Sequence, residues 1–261
     1  MELIQAVILG VVEGLTEFLP ISSTFHLIFA SKILGIPETN FLKLFEVFIQ
    51  SGAILAVVFL YYKDFVSNRA LLKNIAFSFL PTMIIGFVLY SVIKKVFFEA
   101  YGAMVLVFLL VGALFLGVEW LVKKNKIQLK NPLGKLTVKQ AVIIGLFQSL
   151  AVMPGVSRSG AVIIGMMFLG FKREDSAKYS FLISVPTIIA ASLYDLFKMR
   201  NELTTNNTNV VLLFIGFFTS FVSAYFVIKW FIGFLKNNTL NVFGAYRILV
   251  SVLLFLSGLV K

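Results

Sequence analysis

The chain has no cysteine, a single histidine and only 12 acidic residues among its 261. Without cysteine there is no disulfide framework, no thiolate nucleophile and no thiolate metal cage. One histidine, His26, excludes His-rich metal centres and any phosphatase chemistry that relies on two histidines. Charge of either sign is scarce, 13% of residues, and it is lopsided, with 23 Lys and Arg giving a formal net charge of +11. Hydrophobic residues fill the space, at 59% with 29 Phe, and the mean hydropathy is +0.98. The chain is therefore expected to be an all-α polytopic membrane protein. Its basic residues are scattered over short loops, which fits topology signals and lipid headgroups and leaves nucleic acid out as a partner. The first apolar run has no basic flank and holds two glutamates, so it is not expected to be a cleavable signal peptide.

The densest polar stretch runs from Glu13 to His26 and puts two carboxylates, three hydroxyls and the histidine into fourteen residues. Glu13 and Glu17 are four apart and share one helical face. Pro20 ends that helix, and Ser22, Ser23 and Thr24 are suited to cap the next. The apolar segment before the proline, Leu3 to Pro20, and the one after it, Thr24 to Gly35, are too short or too broken for a bilayer crossing of about 20 residues. They are expected to form a re-entrant hairpin. Full-length segments follow at about Leu42 to Tyr62, Asn74 to Ile93 and Ala100 to Val122.

After a basic loop, residues 123–139, the pattern returns. Ala6 to Leu15 lines up with Ala141 to Leu150, and the break Pro20-Ile-Ser-Ser-Thr24 with Pro154-Gly-Val-Ser-Arg158-Ser-Gly160, about 135 residues later. Long segments at about Ala177 to Phe197, Val210 to Leu235 and Val242 to Val260 complete the second half. The expected architecture is six transmembrane helices plus two re-entrant hairpins in one membrane domain, with halves at about 1–123 and 137–261. An odd number of crossings per half makes the repeat inverted, as in transporters. On this topology fourteen Lys and Arg fall on one side and seven on the other. The richer side, with the 123–139 loop, is expected to be cytoplasmic and both termini outside.

Hairpins entering from opposite faces would bring Pro20 to His26 and Pro154 to Gly160 together near the midplane. Helix N-termini, Gly155 and Gly160, and the hydroxyls of Ser157 and Ser159 are suited to an anion, and the Arg158 fork matches phosphate oxygens. Charged and amide side chains at membrane depth, Glu46, Gln148 and Gln50, are further candidates. Ser22, Ser23 and Thr24 could equally be plain caps, Glu13 and Glu17 could serve only as an ion pair with Arg158, and Arg247 could brace the second half. His26 is three positions from Ser23, on the turn from which it could reach that hydroxyl. Asp64, Glu119 and Asp195 lie at segment ends, where solvated or interfacial roles suffice.

The two motifs, Glu13-Gly-Leu-Thr-Glu17-Phe-Leu-Pro20-Ile-Ser-Ser23-Thr-Phe-His26 and Pro154-Gly-Val-Ser-Arg158-Ser-Gly160, resemble the signatures of the bacterial undecaprenyl-diphosphate phosphatases, the bacitracin-resistance proteins. The likeness continues through Phe45-Glu46-Val-Phe-Ile-Gln50 and Phe243-Gly-Ala-Tyr246-Arg247. It implies hydrolysis of a C55 isoprenyl diphosphate in the bacterial cytoplasmic membrane, recycling the carrier lipid of cell-wall synthesis. It further implies Glu17 as an acid/base or metal-positioning carboxylate with Glu13 as its partner. Ser23 is then nucleophile or phosphate ligand, His26 its assistant, and Arg158 the diphosphate binder. Ser22, Thr24, Glu46 and Gln148 join the second-motif residues Gly155, Ser157, Ser159 and Gly160 as candidate substrate contacts. A Mg²⁺ or Ca²⁺ bridging Glu13, Glu17 and phosphate is the cofactor expectation. The expected partner is an isoprenoid diphosphate lipid, with a homodimer as an open alternative to a monomer. Phe25 departs from the family pattern, which usually has Gly there. The rival to an enzyme is a polyprenyl-phosphate flippase or ion-coupled transporter, since broken helices in an inverted repeat also mark transporters.

Overall fold

The computed structural model describes residues 1–97, 101–198 and 207–258. Ala100 and Val260, expected as segment bounds, and Arg200 and Lys261, counted as topology charges, lie outside the described residues. Within them the chain forms eleven α-helices and no strand. Five helices are long and apolar enough to cross a bilayer: α3 (Asn40–Leu60), α5 (Arg69–Phe97), α6 (Tyr101–Lys123), α9 (Arg173–Lys198) and α10 (Asn207–Asn237). The last helix, α11 (Asn241–Ser257), has 17 described residues, about 26 Å at 1.5 Å per residue, and falls short of the other five. The protein is thus a multi-pass membrane protein of helices.

Two long helices begin earlier than hydropathy places them. α5 starts at Arg69, where the Asn68 side chain accepts from the Leu71 amide at 3.0 Å. α9 starts at Arg173 because Glu174 and Asp175 in its first turn complement the helix dipole, and such charges read as loop on a hydropathy scale. A short helix, α4 (Tyr62–Ser67), was not foreseen. Glu119 is not left to solvent. It is 4% exposed, takes the Arg173 guanidinium through both oxygens and accepts from the Leu240 amide at 2.9 Å. Asp64 is paired with Lys178 at 2.9 Å. The basic loop is ordered too, tied to the turn that follows the second motif's helix by Asn131 N–H to Gly170 O at 2.9 Å and Lys172 N–H to Asn131 O at 3.1 Å.

Both broken segments form helix pairs. α1 (Leu3–Thr16) stops four residues before Pro20, and α2 (Ser23–Ile33) begins after Ser22, whose φ of 66° turns the chain. α7 (Val138–Ser149) passes into a 3-10 turn, Leu150–Val152, and α8 (Arg158–Phe168) begins after Ser157, φ 73°. α1 packs on α10 and α7 packs on α5. Both contacts depend on glycine: a Cβ on Gly10 would lie 2.6 Å from the Gly216 carbonyl oxygen, and one on Gly145 would lie 2.9 Å from the Ser78 carbonyl carbon. Helices seated this closely leave little freedom to the turns that follow them, and those turns carry the polar residues.

Candidate active site

The turn at residues 17–22 and the turn at 153–157 face one another across a cleft of about 200 Å³. Glu17, Ser22, Ser23 and Thr24 line it from the first pair, Gly155, Ser157 and Arg158 from the second, and Gln50 and Thr187 from α3 and α9. Ser23 opens α2, and its hydroxyl donates to Glu17 Oε2 at 2.5 Å. The other oxygen, Oε1, takes Arg158 Nη2 at 3.1 Å, and Arg158 Nη1 donates to the Ser180 carbonyl at 2.7 Å. One carboxylate therefore joins a hydroxyl from its own turn to a guanidinium 141 residues away. Arg158 Nε has no hydrogen-bond partner among the described residues, which leaves one of its N–H groups for an anion.

The second turn is held by its own serines. Ser157 Oγ accepts from the Gly160 amide at 3.2 Å and donates to Ser159 Oγ at 3.0 Å, and Ser159 in turn donates to Leu19 O at 2.9 Å. Ser159 and Gly160 thus do not line the cleft: one clips the two turns together, and the other backs onto the Phe115 ring. At Gly155, φ is 93° and an added Cβ would lie 2.7 Å from the Met104 carbonyl oxygen, so only glycine fits.

Three sequence expectations take a different form. His26 does not reach Ser23. Its Nδ1 bonds the Ser22 carbonyl at 2.8 Å, and its Nε2 bonds the Tyr246 hydroxyl at 2.7 Å. A carbonyl only accepts, so Nδ1 carries the proton and the neutral ring's Nε2 accepts from Tyr246. Helical spacing brings residue i+3 near, but the ring turned to the outer partner. Glu13 does not meet Arg158 either. It is fully buried one turn before Glu17, and neither of its oxygens has a hydrogen-bond partner among the described residues. Gln148 and Glu46 lie behind the cleft: Gln148 Nε2 donates to Thr82 at 2.9 Å and Thr187 at 3.2 Å, while Glu46 accepts from Ser31 at 3.1 Å. Phe25 packs away from the cleft, stacked on Phe108 at 3.9 Å between ring centroids. Thr187 and the Ser180 carbonyl escaped sequence reasoning; Pro186, an interruption inside a membrane helix, was the available signal.

A carboxylate on a hydroxyl is a nucleophile and base pair, and a guanidinium beside it stabilises charge on phosphoryl oxygens. A divalent cation fits the donor set in one form. No three His, Cys, Asp or Glu side chains cluster among the described residues, so the protein would offer Glu13 and Glu17 and the remaining ligands would be phosphate and water.

Comparison with known proteins gives the family. Residues 6–253 match the family described as bacitracin resistance protein BacA. The chain is 48% identical over 257 residues to the undecaprenyl-diphosphatase of Sulfurihydrogenibium sp. (strain YO3AOP1), covering 98% of this chain and 99% of that protein. It is 46% identical over 248 residues to the undecaprenyl-diphosphatase of Aquifex aeolicus (strain VF5), covering 95% of each. With that of Wolinella succinogenes it shares 41% over 253 residues, 97% of each. The match runs through both turns and nearly every helix between and around them, and the chain belongs to the bacitracin resistance protein BacA family.

Proposed function

We propose that this protein hydrolyses undecaprenyl diphosphate to undecaprenyl phosphate and inorganic phosphate, recycling the carrier lipid of cell-wall synthesis in the bacterial cytoplasmic membrane. The observation that carries the proposal is the Ser23 to Glu17 hydrogen bond of 2.5 Å with Arg158 on the same carboxylate, inside a membrane protein. Ser23 Oγ attacks the terminal phosphorus as Glu17 takes its proton, and the bond from that phosphorus to the bridging oxygen breaks. Undecaprenyl phosphate leaves, taking that proton from Glu17 on its freed oxygen. Water then attacks the phosphoserine as Glu17 accepts its proton, and Glu17 passes the proton to Ser23 Oγ as phosphate departs. Arg158 answers the charge on the phosphoryl oxygens throughout. His26 acts one residue away, by holding the Ser22 turn that aims Ser23.

Glu13 and Glu17 would hold a Mg²⁺ or Ca²⁺, whose charge would shield the diphosphate. The architecture proposed with this function is six crossings and two re-entrant hairpins, an inverted repeat of halves at about 1–123 and 137–261. In support, the turns at Ser22 and Ser157 share a left-handed backbone 135 residues apart, and the helices α2 and α8 both close on a left-handed glycine, Gly35 and Gly170. The basic 123–139 loop is assigned to the cytoplasm and both termini to the outside, from the distribution of Lys and Arg. The test is phosphate release from a long-chain isoprenyl diphosphate by detergent-solubilised protein, with and without chelator. Absence of release, with lipid movement in proteoliposomes, would make it a flippase instead.

A further inference from the structure

The geometry points to Arg247 as a positioning residue that clasps the two cleft turns together and sets the alignment of Ser23 against Arg158. Arg247, on α11, is 0% exposed, and among the described residues no carboxylate pairs with it. Each of its three guanidinium nitrogens donates to a backbone carbonyl. Nε donates to Phe108 O at 3.0 Å, Nη1 to Pro20 O at 3.0 Å and Nη2 to Gly155 O. The two Nη partners are not arbitrary. Pro20 and Gly155 stand 135 residues apart, the spacing between the two motifs, so the fork holds corresponding carbonyls of the two turns. In each turn the left-handed serine lies two residues on, and Ser23 or Arg158 lies one residue beyond that.

The clasp also has a fixed base. The Arg247 guanidinium carbon sits 4.2 Å from the centroid of the Phe108 ring and 6.0 Å from that of Phe115, both on α6. Phe25 stacks on the other partner of this arrangement, Phe108, so α2 is keyed to the same point. A planar fork whose three nitrogens point apart can satisfy carbonyls on three separate segments at once. An ammonium keeps the charge but concentrates its donors at one point. Arg247 does not line the cleft, so its effect on the reaction passes through the turns it holds.

This inference rests on the phosphatase proposal, and the experiment separates the two. Wild type, Arg247→Lys and Arg247→Gln are purified, checked for a monodisperse detergent profile, and assayed for phosphate release against isoprenyl diphosphate concentration well below each protein's unfolding midpoint. Both variants should lose at least about tenfold in kcat, since small misplacements of reacting groups are costly. KM should stay within about threefold, because Arg158 and the serines remain on their own helices. A kcat near wild type in folded Arg247→Gln overturns the clasp, and a kcat near wild type in Arg247→Lys shows that charge, not the fork, is what counts and overturns it too. Loss of the fold in both variants overturns it in favour of a purely structural residue. An inactive wild type removes the phosphatase proposal itself.

Discussion

The two helix pairs share a backbone and divide the chemistry. Each turns through a left-handed serine, Ser22 or Ser157, into an 11-residue helix. Beyond that they part. At the first helical position one has Ser23 and the other Arg158, and at the 135-residue spacing Glu13 faces Gln148, Glu17 faces Val152 and His26 faces Ala161. In the proposed reaction the first pair supplies the nucleophile and base and the second the cation, so neither is a site alone. Their burial differs in the same sense. α8 is buried at every position from Ser159 to Met167, whereas α2 is buried only at alternate positions and leaves Thr24 and His26 partly open. One helix is a fixed anvil, and the other lies along the edge of the packed core, although Ser23 and Glu17 are themselves buried.

The most severe way to break the division is at the first pair. Ser23→Ala should lower kcat on the order of 10³-fold or more if the hydroxyl attacks phosphorus, whereas loss of a mere cap would cost about 1 kcal/mol of stability and little rate. Glu17→Gln should fall in the same range, and the double variant should be scarcely worse than either single one, because the two act as a unit. Acid quenching of labelled substrate with wild type should trap phosphate on Ser23; label found only in free phosphate under these conditions would leave water as the attacking group.

At the second pair the expected loss is smaller. Arg158→Lys keeps the charge and removes the fork, so kcat/KM should drop about 10²-fold, on the order of 3 kcal/mol for a desolvated charge pair. The measurement is phosphate release by monodisperse protein, and activity within a few-fold of wild type would mean that Arg158 serves only to neutralise Glu17. Smaller again is the effect at Glu13. If a cation is held there, chelation should depress turnover reversibly, and Glu13→Gln should raise the Mg²⁺ or Ca²⁺ concentration needed for half-maximal rate, read from a metal titration. The mildest contrast concerns stability alone. Ile163→Ala in α8, at 0% exposure, should cost about 2 kcal/mol or more through lost packing, and Ile28→Ala in half-buried α2 clearly less, as read from unfolding midpoints in detergent. Equal losses would remove the distinction between anvil and edge.

Much of this was legible in the residues themselves. Composition determined the membrane class, because a chain this apolar has no aqueous fold to adopt. Pro20 and the Pro154 to Gly160 stretch determined where helices break, because a proline has no N–H for the carbonyl four residues before it, and α1 stops at that residue, Thr16. Helical spacing placed Glu13 and Glu17 on one face, and the motif pair marked the site. Tertiary structure alone decided which groups meet. That Glu17 receives both Ser23 and Arg158 while Glu13 receives neither, that His26 turns to Tyr246, and that Arg247 reaches Pro20 across 227 residues are facts of helix packing. Sequence periodicity fixes a side chain's bearing on its own helix. Which distant carbonyl or carboxylate lies on that bearing depends on how closely helices seat, and here glycines at Gly10 and Gly145 set that distance.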